Sequence, residues 1–132
     1  MSDIYSPAGK IYRGDSADIR LAVIDRTTSA FLERGRVMSI RAELWRDAPS
    51  PKQIATWGVD VEEHLSDGPI THAQDPGWPF SDLGYNLRWL LPKGYVMEAP
   101  GRYRVLFVLE LVGLEQSTHV VKLEVADPIH GA

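Results

Sequence analysis

No cysteine occurs in this chain of 132 residues, which excludes disulfides, thiolate metal sites and a cysteine nucleophile. That absence also sets the chain apart from small secreted domains held by disulfides. Long hydrophobic runs are missing as well, since no stretch approaches the roughly 20 apolar residues of a membrane-spanning helix. The opening Met1-Ser2-Asp3-Ile4-Tyr5-Ser6-Pro7 has neither the basic nor the apolar segment of a secretory signal. The expected protein is therefore soluble, cytoplasmic or virion-associated, with no membrane partner. A basic excess is absent too: the formal charge is −4, and acids and bases are interspersed, so nucleic acid is not an expected partner. There is no Gly-rich phosphate loop, no Gly-x-Ser-x-Gly elbow and no His-Glu-x-x-His pair, and the scattered His and Asp residues do not make a triad. The expectation is a non-enzymatic chain with no catalytic residues, no resident metal and no cofactor.

What the chain does have is turn residues and aromatics. Nine Pro, eleven Gly, four Trp and five Tyr suit an ordered domain with many turns, and the length suits one core. The strongest element covers residues 102–111, behind the break at Pro100-Gly101. Tyr103, Val105, Phe107, Leu109 and Leu111 alternate with Arg102, Arg104, Leu106, Val108 and Glu110, the period of a strand. Leu106 and Val108 on the second face predict a central strand with neighbours on both sides.

The same alternation predicts a half-buried strand from Ile19, Leu21 and Val23 against Asp18, Arg20 and Ala22. It predicts another over Val37–Arg46, with Met38, Ile40, Ala42 and Leu44 inward and Trp45 outward. A third covers residues 54–62, with Ala55, Trp57, Val59 and Val61 on one side, and a C-terminal strand carries His119, Val121, Leu123 and Val125. Between the first two, Asp25 to Ser29 offers cap chemistry for one helical turn at residues 30–34, stopped by Gly35. Residues 81–91 fit either period, and strand is preferred because Gly84 weakens a helix and Pro92 ends the segment. Residues 1–10 form a polar arm, and residues 63–80 an irregular loop. Together these predict one all-β domain, an antiparallel sandwich of about seven strands.

The run Ala99-Pro100-Gly101-Arg102-Tyr103-Arg104-Val105 resembles the approach to strand F of immunoglobulin-like domains, where a Gly precedes the tyrosine-corner Tyr by two residues. In disulfide-bonded members a Cys follows that Tyr by two; here Val105 stands there, so the resemblance is to the wider immunoglobulin-like superfold. It implies that Tyr103 is buried, with its hydroxyl bonded to nearby backbone. Tyr12-Arg13-Gly14-Asp15-Ser16 followed by an alternating strand is also similar to the start of small sandwich domains in phage tail and baseplate proteins, and to macroglobulin-like modules.

The functional expectation is an assembly or attachment module, with a phage or prophage virion component (tail, baseplate or capsid-associated) as its narrower form. It binds a protein partner or itself through the arm and the loop, and the candidate interface residues are Ile4, Tyr5, Trp45, Trp78 and Phe80. Two alternatives come from other classes. Trp45, Trp78, Phe80, Tyr85, Trp89 and Tyr95 suggest a stacking platform for carbohydrate. Glu62, Glu63, His64, Asp67, His72 and Asp75 suggest the ligands of a small metal-dependent enzyme, although a charged loop of this kind is ordinarily solvated. Arg13-Gly14-Asp15 spells an adhesive tripeptide, yet Gly-Asp is common turn chemistry.

Overall fold

The structure, a computed structural model, describes residues 2–4, 8–47, 50–80, 83–93 and 101–126, with the backbone alone at residues 2–4, 8 and 10. Its strands in chain order are β1 (Ser2–Ile4), β2 (Ala8–Tyr12), β3 (Ala17–Leu21), β4 (Ile24–Asp25), β5 (Ala30–Phe31), β6 (Val37–Arg46), β7 (Lys52–Val59), β8 (Leu65–Ile70), β9 (Tyr85–Leu91), β10 (Gly101–Leu111) and β11 (Glu115–Ala126). A one-turn helix α1 (Val61–His64) joins β7 to β8.

Two large sheets form, one in the order β1-β3-β9-β8 and one in the order β2-β11-β10-β6-β7, and β4 and β5 pair as a two-stranded ribbon. Apart from the parallel contacts made by β1 and β2, all pairings are antiparallel. This strand order is that of an immunoglobulin-like sandwich. β3, β9 and β8 take the B, E and D places, β6, β10 and β11 take C, F and G, and β7 adds a further strand outside C.

The alternation in β10 works as expected. Tyr103, Val105, Phe107, Leu109 and Leu111 are buried between the sheets, and β11 and β6 flank the strand along its length. Facing them are Ala17, Ile19 and Leu21 of β3 and Leu87, Trp89 and Leu91 of β9. Trp89 meets Phe107 edge-on at 5.7 Å and the half-buried Trp57 at 5.2 Å, so aromatic contacts join the two sheets at mid-height. Tyr103 is buried at the start of β10. Residues 94–100, which lead into it, lie outside the described residues.

Several local expectations are corrected. Met38 is 68% exposed: Glu110 pairs with Ser39 but Leu111 with Val37, so Met38 is the extra residue of a bulge and its side chain turns outward. The helical turn at residues 30–34 is instead the hairpin β4–β5. Asp25 Oδ1 accepts from the Thr27 amide at 2.9 Å, the Ser29 amide donates to the Asp25 carbonyl at 2.8 Å, and Ser29 adopts φ 59°. These bonds close a turn where a helix cap was expected. Gly35 lies inside a 3-10 turn, Arg34–Arg36, that follows. Val61 belongs to α1, whose N-terminus is capped by Asp60.

The arm is not free: residues 2–4 pair with β3 and residues 8–12 with β11. The loop expected over residues 63–80 begins in the end of α1 and contains β8, and its irregular part follows Ile70. Residues 85–91 are a strand as preferred, and Gly84 before them has a packing reason, since an added Cβ would fall 2.5 Å from Pro69 Cβ. Finally, β3 is buried on both faces, including Asp18 and Arg20.

Asn86 of β9, 1% exposed, ties the hairpin region to the sheet. Its Oδ1 accepts from the Val23 amide at 2.6 Å, and its Nδ2 donates to the carbonyls of Val23 at 3.1 Å and Leu32 at 3.2 Å. A buried amide with three backbone bonds satisfies groups that no sheet ladder reaches.

Candidate functional site

The outward face of the five-stranded sheet is built by residues that alternate with the core. Register places Leu106 of β10 between Val120 of β11 and Glu43 of β6, Val108 between Thr118 and Arg41, and Arg104 between Lys122 and Trp45. Val108 is buried although it faces away from the core, Leu106 is half-buried, and Val120 is exposed. These three make a short apolar strip on an otherwise charged face.

Beside the strip, Arg41 Nε donates to Glu43 Oε2 at 2.7 Å and Trp45 Nε1 to Glu43 Oε1 at 2.9 Å. The Trp45 indole donor first, and Arg41 second, hold the Glu43 carboxyl below its ordinary value. Arg104 places its guanidinium carbon 5.8 Å from the Trp45 ring centroid and its Nε 3.0 Å from Asp47 Oδ1. Trp45 is thus half-buried and fixed in orientation, a rigid amphipathic surface of the kind that anchors protein contacts.

Next to this face runs β7, the edge of the sheet, with no strand beyond it among the described residues. Its sequence from Gln53 to Val59 carries no charge and no proline. Ile54, Thr56 and Gly58 are exposed, Ala55 and Trp57 half-buried, and Val59 buried. An edge like this presents unpaired amides and carbonyls, and natural sheets ordinarily interrupt such an edge with Lys, Pro or irregularity.

Of the five residues expected to make contacts, Trp78 and Phe80 pack together and Trp45 stands apart from them. Trp45 stands on the outward face of the five-stranded sheet as expected. Trp78 does not serve as an exposed anchor: it is 1% exposed, packed at 4.9 Å on Tyr85 and 5.0 Å on Phe80, with Nε1 donating to the Leu83 carbonyl at 2.5 Å. Phe80 covers that ring and remains exposed on its other side. Ile4 belongs to β1 with only its backbone described, and Tyr5 lies outside the described residues. Of the aromatics considered as a sugar platform, Trp78, Tyr85 and Trp89 are buried, and Tyr95 lies outside the described residues. The other two, Trp45 and Phe80, stand beside different sheets.

The two histidines of the 62–75 region each lie against a backbone carbonyl. His64 Nδ1 lies 2.9 Å from the Asp60 carbonyl and His72 Nδ1 2.5 Å from the Trp78 carbonyl. No group of three or more metal-ligating side chains assembles among the described residues. Arg13-Gly14-Asp15 forms the turn between β2 and β3, closed by the Asp15 amide on the Tyr12 carbonyl at 3.0 Å, with Gly14 at φ 88°.

Two constellations were not anticipated. On the outer side of the four-stranded sheet, Arg88 grips Asp18 through Nε at 3.0 Å and Nη2 at 2.6 Å, while Arg20 reaches Asp18 at 3.2 Å and Asp75 at 3.5 Å. Tyr85 donates to Asp75 at 2.7 Å, the leading reason the Asp75 carboxyl sits below its ordinary value. Burial, followed by Asp75, raises the Tyr85 phenol, and the bidentate bond to Asp18 raises Arg88. The set is charge-balanced, two arginines against two aspartates, and clasps the strands to the returning segment. The second is Ser117 Oγ, 2.8 Å from Nε2 of the half-buried His119, on one strand face beside a hollow of about 260 Å³ under the β4–β5 hairpin. Among the described residues no carboxylate orients this pair, so it lacks the third member of a triad. A larger, open hollow of about 670 Å³ lies at the β10 start, between Asp47, Arg102 and Lys122.

No protein-family model matches this chain, and no curated protein sequence does. Among solved structures, murine CRIg is similar over 94% of each chain at 9% identity with a TM-score of 0.42.

Proposed function

We propose that this domain is a non-enzymatic assembly or attachment module that docks a protein partner on the outward face of its five-stranded sheet and along the open edge β7. One observation carries this reading: β7 leaves a seven-residue uncharged, proline-free run, Gln53 to Val59, on a sheet edge that nothing described covers. Strand addition at such an edge takes its affinity from main-chain hydrogen bonds and its specificity from side chains on the adjacent face. Trp45, Leu106, Val108 and Val120 offer that face an apolar centre, and Arg41, Glu43 and Arg104 a polar surround. The contact surface moves accordingly from the N-terminal arm and the 63–80 segment, which are largely spent on the domain's own sheets, to β7 and its neighbours.

The narrower reading, a phage or prophage virion component, draws on the Tyr12–Ser16 resemblance alone, and tail or capsid genes beside this one would support it. The general reading is tested by placing a photo-crosslinking amino acid at Thr56, Val120 or, as a control, Leu114, which is fully exposed on the β10–β11 turn. In cells of the source organism, Thr56 and Val120 are expected to form covalent adducts with protein and Leu114 is not. Equal adducts at all three positions, or none at Thr56 and Val120, overturns it.

A further inference from the structure

The two large sheets present four edges among the described residues, and three are blunted. β1 has three residues and β2 five. β8 contains Gly68-Pro69, and its register with β9 is irregular between Leu65 and Ile70, so a proline without an amide interrupts it. β7 is the long one, at eight residues. One bulge affects it: Leu44 pairs with Ala55 but Trp45 with Gln53, which makes Ile54 the extra residue and leaves Ala55 to Val59 regular.

The charges at its two ends are opposite. Exposed Lys52 begins the strand, across from Arg46 on β6; exposed Asp60, Glu62 and Glu63 follow its end. Between them lies the neutral run.

Resting on the reading of β7 as a docking edge, we propose that its occupant is β7 of a second copy of this chain, paired antiparallel about a two-fold axis at Thr56. A two-fold axis normal to a sheet brings a strand to itself only in antiparallel sense. That sense sets the basic start of each β7 against the acidic end of the other. With Thr56 facing Thr56, Lys52 stands opposite Asp60 twice, once on each side of the axis, whereas a parallel alignment sets Lys52 against Lys52.

The same register matches side-chain size. Ala55 faces Trp57 on both sides of the axis, a small residue opposite a large one, and the bulged Ile54 falls beside Gly58, which has no side chain to meet it. Centring the axis one residue later faces Trp57 with Trp57, so the large-to-small match is lost, and carries Lys52 past Asp60 to Glu62, which belongs to α1 and not to the strand. The product is a continuous sheet running from β2 of one copy to β2 of the other, with the Trp45 faces of both copies on one side.

Because the chain has no cysteine, single substitutions report the register directly. Opposed residues in an antiparallel pair have Cα atoms about 4.5–5.5 Å apart, within disulfide reach. Thr56→Cys is expected to give a disulfide-linked dimer on mild oxidation, and Leu114→Cys, on a distant turn, is not. Ile54→Cys mixed with Gly58→Cys is expected to give the mixed dimer in excess of either homodimer. By light scattering the unmodified protein is expected to dimerise with concentration. Lys52→Glu should weaken that dimer by about tenfold or more, and Lys52→Glu with Asp60→Asn, which keeps the cap of α1, should recover part of the loss.

A protein that stays monomeric at every concentration overturns the proposal, as does a dimer that fails to cross-link through Thr56→Cys. Cross-linking at Thr56 without the mixed Ile54–Gly58 product overturns this register. These failures are distinguishable from failure of the docking reading: photo-adducts at Thr56 made only with other proteins sink the second copy and keep the docking edge, whereas no adducts at Thr56 or Val120 sink the edge itself.

Discussion

Removing the Asn86 amide tests whether one buried side chain fastens the β4–β5 region to the sheet. In Asn86→Ala the Val23 amide loses its 2.6 Å acceptor and the Leu32 carbonyl its 3.2 Å donor. The Val23 carbonyl loses one bond but keeps the Leu32 amide at 2.9 Å. Two stranded groups at about 1.5 kcal/mol each, and about 1 kcal/mol for the shared bond, sum to about 4 kcal/mol. With a urea dependence of about 2 kcal/mol/M, the midpoint should fall by about 2 M.

Asn86→Asp sharpens the test because it keeps the shape. One carboxyl oxygen can still accept from Val23, but the other faces two carbonyls, so the protonated acid is favoured and the folded-state pKa rises above the unfolded value of about 3.9. A raised carboxyl pKa means stability that is present below the unfolded value and lost as pH rises through the folded one. The deficit of Asn86→Asp against the parent should therefore grow between about pH 4 and about pH 7, measured by urea unfolding at both. An Asn86→Ala midpoint matching the parent, or an Asn86→Asp deficit that is flat or shrinks with pH, would refute this account.

Three further outcomes are expected. Trp78→Ala should cost about 3–5 kcal/mol as a buried aromatic truncation; a near-neutral melt would return Trp78 to the surface. Met38→Ser, at the exposed bulge, should stay within about 0.5 kcal/mol of the parent, whereas Ile40→Ala, two residues on and buried, should cost about 2–5 kcal/mol, and denaturant melts of the pair check the bulge. Burial first, and Arg26 second, push His119 below its ordinary value of 6.5. The folded state thus takes up the proton less readily than the unfolded chain, and stability should fall as pH drops through 6.5 toward the lower folded value. Thermal melts of His119→Gln should show a shallower loss over that window, and an unchanged slope would remove His119 from the acid response.

Much of the framework was legible because its signal is local. Strict alternation in residues 102–111 and in residues 119–125 can be satisfied in only one way when a single face is buried, so the core residues of β10 and β11 follow from spacing alone. Gly101 and Tyr103 pointed to the immunoglobulin-like arrangement, and Gly84 argued correctly against a helix in residues 81–91. Other features depend on what lies opposite in space. Met38 has the spacing of a core residue, and only the offset between Ser39 and Val37 across from Glu110 and Leu111 turns it outward. Asp18 and Arg20 read as a solvated face until Arg88 and the returning Asp75 close over them. Trp78 sits in a segment with no period, and its burial is decided by Tyr85 and Leu83.

The candidate site divides in the same way. That residues 54–59 form a strand was readable from the alternation of Ala55, Trp57 and Val59. That the strand stands at an edge was not, because edge position is a property of sheet order, and strand order is set by pairings between residues far apart in the chain. Sequence by itself determined which residues prefer the interior of a β sandwich, since that preference is fixed by side-chain chemistry and a period of two. Tertiary structure alone decided which main-chain groups remain unpaired and which charges flank them, since hydrogen bonds between strands are satisfied or left open only once every neighbour is in place.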